Sequence, residues 1–131
     1  MMETVNQDNV KIVGDLQLAE KVIAALREVY DPEIPVNVYD LGLVYEIHAH
    51  YQEGKPHIKV IMTLTAIGCP VMGQITLFVD EAVRDAIPDA EVDVEITFDP
   101  PWTPRRITKE GREQFMAMYG YDVVESWAAN Y

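Results

Sequence analysis

A single cysteine, Cys69, is present among the 131 residues of this chain. An internal disulfide framework is therefore excluded, and a reducing, cytoplasmic setting is expected. Bases are scarce as well: 10 lysines and arginines stand against 22 acids, a formal charge of −12. That balance disfavours nucleic acid and anionic membrane, which bind through cationic side chains, and favours basic proteins or metal ions. No apolar run approaches the length of a membrane span. The opening Met1-Met2-Glu3-Thr4-Val5-Asn6-Gln7-Asp8 lacks the basic start and apolar run of a signal peptide. Internal repeats, low-complexity tracts and linkers are also missing. What is there, 49% hydrophobic and 24% charged, makes one globular domain able to bury roughly two-thirds of its unfolded surface.

Residues 1–14 are polar, end at Gly14 and are expected to be mobile. Asp15 can cap a helix whose apolar stripe is Ala19, Val22, Ile23, Leu26, Val29 and Tyr30, with Pro32 marking its end. The loop from Asp31 to Gly42 follows, stiffened by Pro32 and Pro35 and carrying Asp31, Glu33 and Asp40. A long loop holding acids and large apolar side chains packs on the core or lines a site.

Two alternating strands come next, Leu43 to His50 and His57 to Leu64, with Gln52 to Pro56 as the hairpin turn. One permitted register sets Ile47 against Val60, Tyr45 against Met62 and His50 against His57, with Leu43 opposite Leu64. It would put His48, His50 and His57 on the outer face. Three histidines there could bind a metal, but their spacing matches no metal motif.

The stretch Thr63-Leu64-Thr65-Ala66-Ile67-Gly68-Cys69-Pro70 reads as strand, tight turn and helix start. Pro70 suits the first helical position, which makes Cys69 the cap. Gly68 leaves the space above the turn open. Unpaired N–H groups and the positive end of the helix dipole favour a thiolate there, the form that attacks electrophiles and binds metals. The plainer role for Cys69 is a small buried hydrophobe. The second helix buries Met72, Ile75, Val79, Ala82, Val83 and Ala86, and closes near Pro88. A third strand, 90–98, points Val92, Val94, Ile96 and Phe98 inward and Glu91, Asp93 and Glu95 outward.

Pro100, Pro101 and Pro104 hold a second loop extended around Trp102, either a lid on the core or a contact residue. Arg105 and Arg106 beside it are expected to satisfy internal carboxylates, or to anchor an anionic partner. Thr108 caps a short helix with Phe115, Met118 and Tyr119 on its apolar stripe, stopped by Gly120. The tail, 121–131, sets Val123, Val124, Trp127, Ala128 and Tyr131 at helical spacing. The expected architecture is an α/β (α+β) two-layer sandwich, helix-strand-strand-helix-strand. A three-stranded mixed sheet carries both main helices on one face, and a short helix closes the domain. The domain spans 15–120, between the mobile start and the aromatic tail.

Four motifs in order carry a resemblance: Asp31-Pro32-Glu33-Ile34-Pro35 with Tyr39-Asp40-Leu41-Gly42-Leu43-Val44, Met62-Thr63-Leu64-Thr65, Gly68-Cys69-Pro70, and Asp99-Pro100-Pro101-Trp102-Thr103. Over residues 16–119 the chain resembles the SufT-like metal–sulfur cluster biosynthesis family, close to the PaaD-like maturation proteins. The resemblance implies the fold read above and a non-catalytic auxiliary factor in iron–sulfur protein maturation. It implies Cys69 as a metal or cluster ligand for iron or a transient iron–sulfur cluster, supported by Thr65, Gly68, Pro70 and the acids Asp31, Glu33 and Asp40. The loop with Pro100, Pro101, Trp102 and Arg105 would contact partners, the assembly machinery or client apo-proteins. Ile67 stands where the family commonly has proline, and the tail matches no part of the pattern.

One thiolate cannot hold a cluster, which usually needs four ligands; a client, a small thiol or a second copy in a homodimer must supply the rest. Two other readings compete. In one the protein is a client-targeting adaptor that binds no metal. In the other Cys69 is an enzyme nucleophile, which requires a base, and His57 lies on the order of 25 Å along the strand from the thiol. The hairpin also predicts that Asp40 sits at the Cys69 end of the sheet. Asp31 and Glu33 are expected beside it, where they would oppose thiolate formation unless a metal or Arg105 neutralises them.

Overall fold

The computed structural model describes residues 3–6, 10–30, 36–63, 72–98 and 102–120. Among them the elements run β1 (Glu3–Val5), β2 (Lys11–Gly14), α1 (Leu16–Leu26), β3 (Val44–Gln52), β4 (Lys55–Met62), α2 (Met72–Ala86), β5 (Glu91–Ile96) and α3 (Lys109–Tyr119). The strands form one mixed sheet in the order β1-β2-β3-β4-β5. The β1/β2 and β3/β4 pairs are antiparallel, and the β2/β3 and β4/β5 pairs parallel.

The mixed α/β sandwich is as expected, but the sheet has five strands where three were predicted. The two extra strands come from residues 1–14, the stretch expected to lie outside the domain. Lys11-Ile12-Val13-Gly14 is too short to stand out by alternation. It is held by β3, whose edge would otherwise lie open: Ile12 pairs with Ile47, and both are buried.

Helix α1 starts as its cap dictates, with Asp15 Oδ1 accepting from the Leu18 N–H at 2.9 Å. It ends at Leu26, well before Pro32, because the next turn tightens: Glu28 and Val29 donate to Ala25 and Leu26. The Val29 carbonyl then accepts from Val38. Tyr30, expected in the buried stripe, is 53% exposed and bridges to Asn37 through its backbone.

Helices α1 and α2 pack on one another and on one face of the sheet. Because α1 follows a strand parallel to β3 and α2 one antiparallel to it, they run in opposite directions. Val22, Leu26, Ile47, Val60, Ile75 and Val79 meet in a single core. Strand β5 stops at Ile96, and Phe98, predicted to point inward, is exposed. Met118 and Tyr119 of α3 are exposed too; the helix is seated through Phe115 and Gly111, with Thr108 and Gly120 as the expected caps.

The hairpin keeps Ile47 opposite Val60 and His50 opposite His57, as predicted. Its turn is tighter than Gln52 to Pro56. Gln52 pairs with Lys55, leaving Glu53 and Gly54 as a two-residue turn with φ of 54° and 80°. At the other end a β-bulge intervenes. Val44, not Tyr45, faces Met62, and the Leu43 carbonyl accepts from Thr63 rather than facing Leu64.

Candidate functional site

Strand β4 ends at Met62, and Thr63 is the last described residue before Cys69 in the sequence. Thr65, Gly68, Cys69 and Pro70 lie outside the described residues, as do Asp31, Glu33, Pro100 and Pro101. The structure does describe what surrounds this end of the sheet.

Asp40 is at its centre, away from His50 and His57, as the hairpin predicts. The segment 36–43 closes on itself: the Asp40 N–H donates to Asn37 Oδ1 at 2.8 Å, and Asn37 Nδ2 returns a bond to Asp40 Oδ2 at 2.8 Å. The other carboxylate oxygen, Oδ1, accepts from the Thr108 hydroxyl at 2.8 Å and lies 3.6 Å from Arg27 Nε. Thr108 does two jobs at once, since its oxygen also accepts from the Gly111 N–H and caps α3. Asp40 is only 2% exposed, so the site acid is a structural anchor whose two oxygens already hold donors. Its cation is Arg27, not Arg105, which is exposed.

The second loop is pinned to the same place by main-chain bonds. Trp102 Nε1 donates to the Leu41 carbonyl at 2.7 Å, and Arg106 Nε donates to the Gly42 carbonyl at 3.0 Å. Thr108 N–H donates to the Asp40 carbonyl at 2.9 Å. The two backbones approach so closely that glycine is required. Gly42 sits at φ 77°, and a Cβ there would fall 2.2 Å from the Arg106 carbonyl oxygen. Of the two roles expected for Trp102, a lid on the core or a contact residue, its 5% exposure fits the lid, and the indole is built into the domain. Arg106, expected to meet a carboxylate, donates to carbonyls and stacks on Tyr45, with Cζ 4.2 Å from the ring centroid.

The bulge turns Tyr45 toward that guanidinium. Burial raises the Tyr45 pKa above its usual 10.0, outweighing the opposing pull of Arg106 and of the Thr63 hydrogen bond. Burial likewise lowers the Arg106 pKa below the usual guanidinium range, against the effect of Tyr45. Among the described residues no buried side-chain nitrogen or oxygen lacks a partner. Sequence reading missed Asn37, Arg27 and the second role of Thr108. Only the Asn37-x-x-Asp40 spacing carried a signal, that of a side chain bonding backbone a few residues on.

At the opposite end, His50 and His57 stack with centroids 5.6 Å apart. His48 pairs with Glu46, and His57 with Glu91. Among the described residues no three His, Cys, Asp or Glu side chains are grouped to hold a metal. No described helix is long and apolar enough to cross a membrane.

Residues 19–97, from α1 to the end of β5, match the family of iron–sulfur cluster assembly proteins. The chain belongs to that family. It is 39% identical over 99 residues to an Fe-S protein maturation auxiliary factor of Porphyromonas gingivalis, covering 72% of this chain and 88% of that one. It is 37% identical over 75 residues to the Fe-S protein maturation auxiliary factor SufT of Staphylococcus aureus, covering 57% and 82%. Its fold superposes with a TM-score of 0.68 on the crystal structure of a domain of unknown function, DUF59, from Bacillus anthracis. That structure is 33% identical, over 76% of this chain and 92% of the other. The family match ends before Trp102, Arg106 and Thr108, so one half of the clamp on Asp40 lies beyond it.

Proposed function

We propose that this iron–sulfur cluster assembly protein is a non-catalytic auxiliary factor in the maturation of iron–sulfur proteins. In this reading Cys69 is a transient ligand to iron or to a cluster in transit. The metal is cargo passed between the assembly machinery and client apo-proteins, because one thiolate is one of about four ligands that a cluster needs. A client, a small thiol or a second copy supplies the others.

The observation that carries the reading is the clamp on Asp40. A loop residue acts on a bound group only when the scaffold at the loop's base is rigid. Here the last residue before the Cys69 segment, Thr63, is bonded to Leu43, and 36–43 is bonded in turn to 102–108. Thiol catalysis has less support, since the stacked His50 and His57 sit at the other end of β3 and β4.

Cys69→Ser tests the proposal in cells that lack the native protein and depend on an iron–sulfur enzyme. Serine caps a helix well and should change the unfolding free energy by less than about 1 kcal/mol. The thiolate is lost, so the expected outcome is a folded variant that fails to restore the enzyme's activity. Rescue equal to wild type would remove Cys69 from the mechanism. Anaerobic reconstitution with iron and sulfide, read by visible absorption in both proteins, separates cargo binding from an adaptor role without metal.

A further inference from the structure

The outer side of the helical layer carries a groove that the cluster chemistry does not use. It lies between α1 and the C-terminal half of α2, with a volume of about 960 Å³. Helix α1 contributes Lys21, Ala24 and Ala25, the tight turn after it Glu28 and Val29, and α2 Phe78, Glu81, Ala82, Asp85 and Ala86 at the spacing of a single helical face. The alanines keep the helix surfaces low, and Ala25 and Val29 close the floor. Tyr30 and Phe78, 53% and 42% exposed, stand at the end where α1 finishes, with aromatic surface open to solvent.

The rim is charged in one sense. Glu28, Glu81 and Asp85 border the groove, Lys21 is the one cation among the described residues that line it, and none of the three acids is ion-paired to a described residue. Arg84, on the same helix, is held by Asp80 and does not line the groove. An apolar trough flanked by carboxylates complements a helix with an apolar face and basic margins. The same charge opposes the other candidates. A second copy would bring another −12, and residues 121–131 carry Asp122 and Glu125 but no lysine or arginine.

We infer that this groove docks a basic amphipathic helix of a partner protein, with apolar side chains against Phe78 and the alanines and lysine or arginine against Glu28, Glu81 and Asp85. The inference does not depend on Cys69. Phe78 is six residues into α2, about 9 Å along its axis from Met72.

The test titrates the isotope-labelled full chain with a synthetic leucine–lysine peptide of amphipathic helical spacing, with a scrambled peptide of the same composition as control. Expected are saturable amide shifts confined to 21–30 and 78–86, absent with the scrambled peptide. Glu28→Gln, Glu81→Gln and Asp85→Asn together should weaken binding about tenfold. Removing the same number of charges from β5, by Glu91→Gln, Asp93→Asn and Glu95→Gln, should leave it unchanged. Phe78→Ser should weaken binding without altering the charge. Equal loss from both charge sets, shifts elsewhere on the surface, or no binding would overturn the inference. So would groove shifts on removing 121–131 or on raising the concentration of protein alone, which assign the groove to the tail or to a second copy. Cys69→Ser should bind the peptide like wild type, so this outcome is read apart from the fate of the cluster reading.

Discussion

Where β4 stops, Asp40, Trp102, Arg106 and Thr108 exchange bonds with partners more than 60 residues away in the chain, most of them buried. Around the Glu53 turn the polar contacts are of another kind: Lys55 and His57 reach Glu91, and Lys59 reaches Glu95, on the solvated face of neighbouring strands. Exposed pairs contribute little, because water competes for each charge and long side chains lose freedom. Buried bonds are costly to leave unmade and therefore specify one geometry. The comparison teaches that this domain keeps its precision at one end of the sheet, the end where β4 finishes ahead of Cys69 in the sequence.

The strongest way to break the comparison is Asp40→Ala. It strips the acceptor from Asn37 and Thr108 and the counter-charge from Arg27, and should cost about 3 kcal/mol in urea unfolding. A loss under about 0.5 kcal/mol would place the clamp on a par with the exposed pairs. Trp102→Phe keeps most of the apolar area but drops the bond to the Leu41 carbonyl, and should cost about 1–2 kcal/mol by the same measurement. The hairpin end should move the other way. Glu53 holds φ 54° without a glycine's freedom, so Glu53→Asn should stabilise by about 1 kcal/mol in thermal unfolding.

The smallest effect sharpens the comparison through pH. The Tyr45 pKa is raised in the folded chain, so the unfolded tyrosine ionises first as pH climbs past 10.0. The stability tied to neutral Tyr45 is complete below that value and declines above it, up to the folded pKa. The lowered Arg106 pKa acts in the opposite sense, but only at the strongly basic pH where a guanidinium gives up its proton. Between pH 9.5 and roughly 11 the wild type should therefore lose stability more steeply than Tyr45→Phe. Parallel curves would show that the bulge leaves the phenol as exposed to water as in the unfolded chain.

Local patterns read along the chain were sound wherever neighbours in sequence are neighbours in space. The cap at Asp15, the cap and stop at Thr108 and Gly120, and the alternation that aligns Ile47 with Val60 and His50 with His57 are all legible in the order of residues alone. So is the cluster-assembly family, since its motifs are themselves short and ordered. These follow from helix and strand periodicity and from capping, which act over a few residues. What only the tertiary structure decided involves partners far apart. Lys11–Gly14 is a strand because β3 offers an edge, not because four residues announce one. Tyr45 leaves the ladder at a bulge beside Arg106, and Trp102 is a lid rather than a contact. Asp40 could be read as a site acid from its loop. That Asn37, Thr108 and Arg27 consume its carboxylate depends on chain segments meeting at the end of the sheet, and no local pattern encodes that meeting.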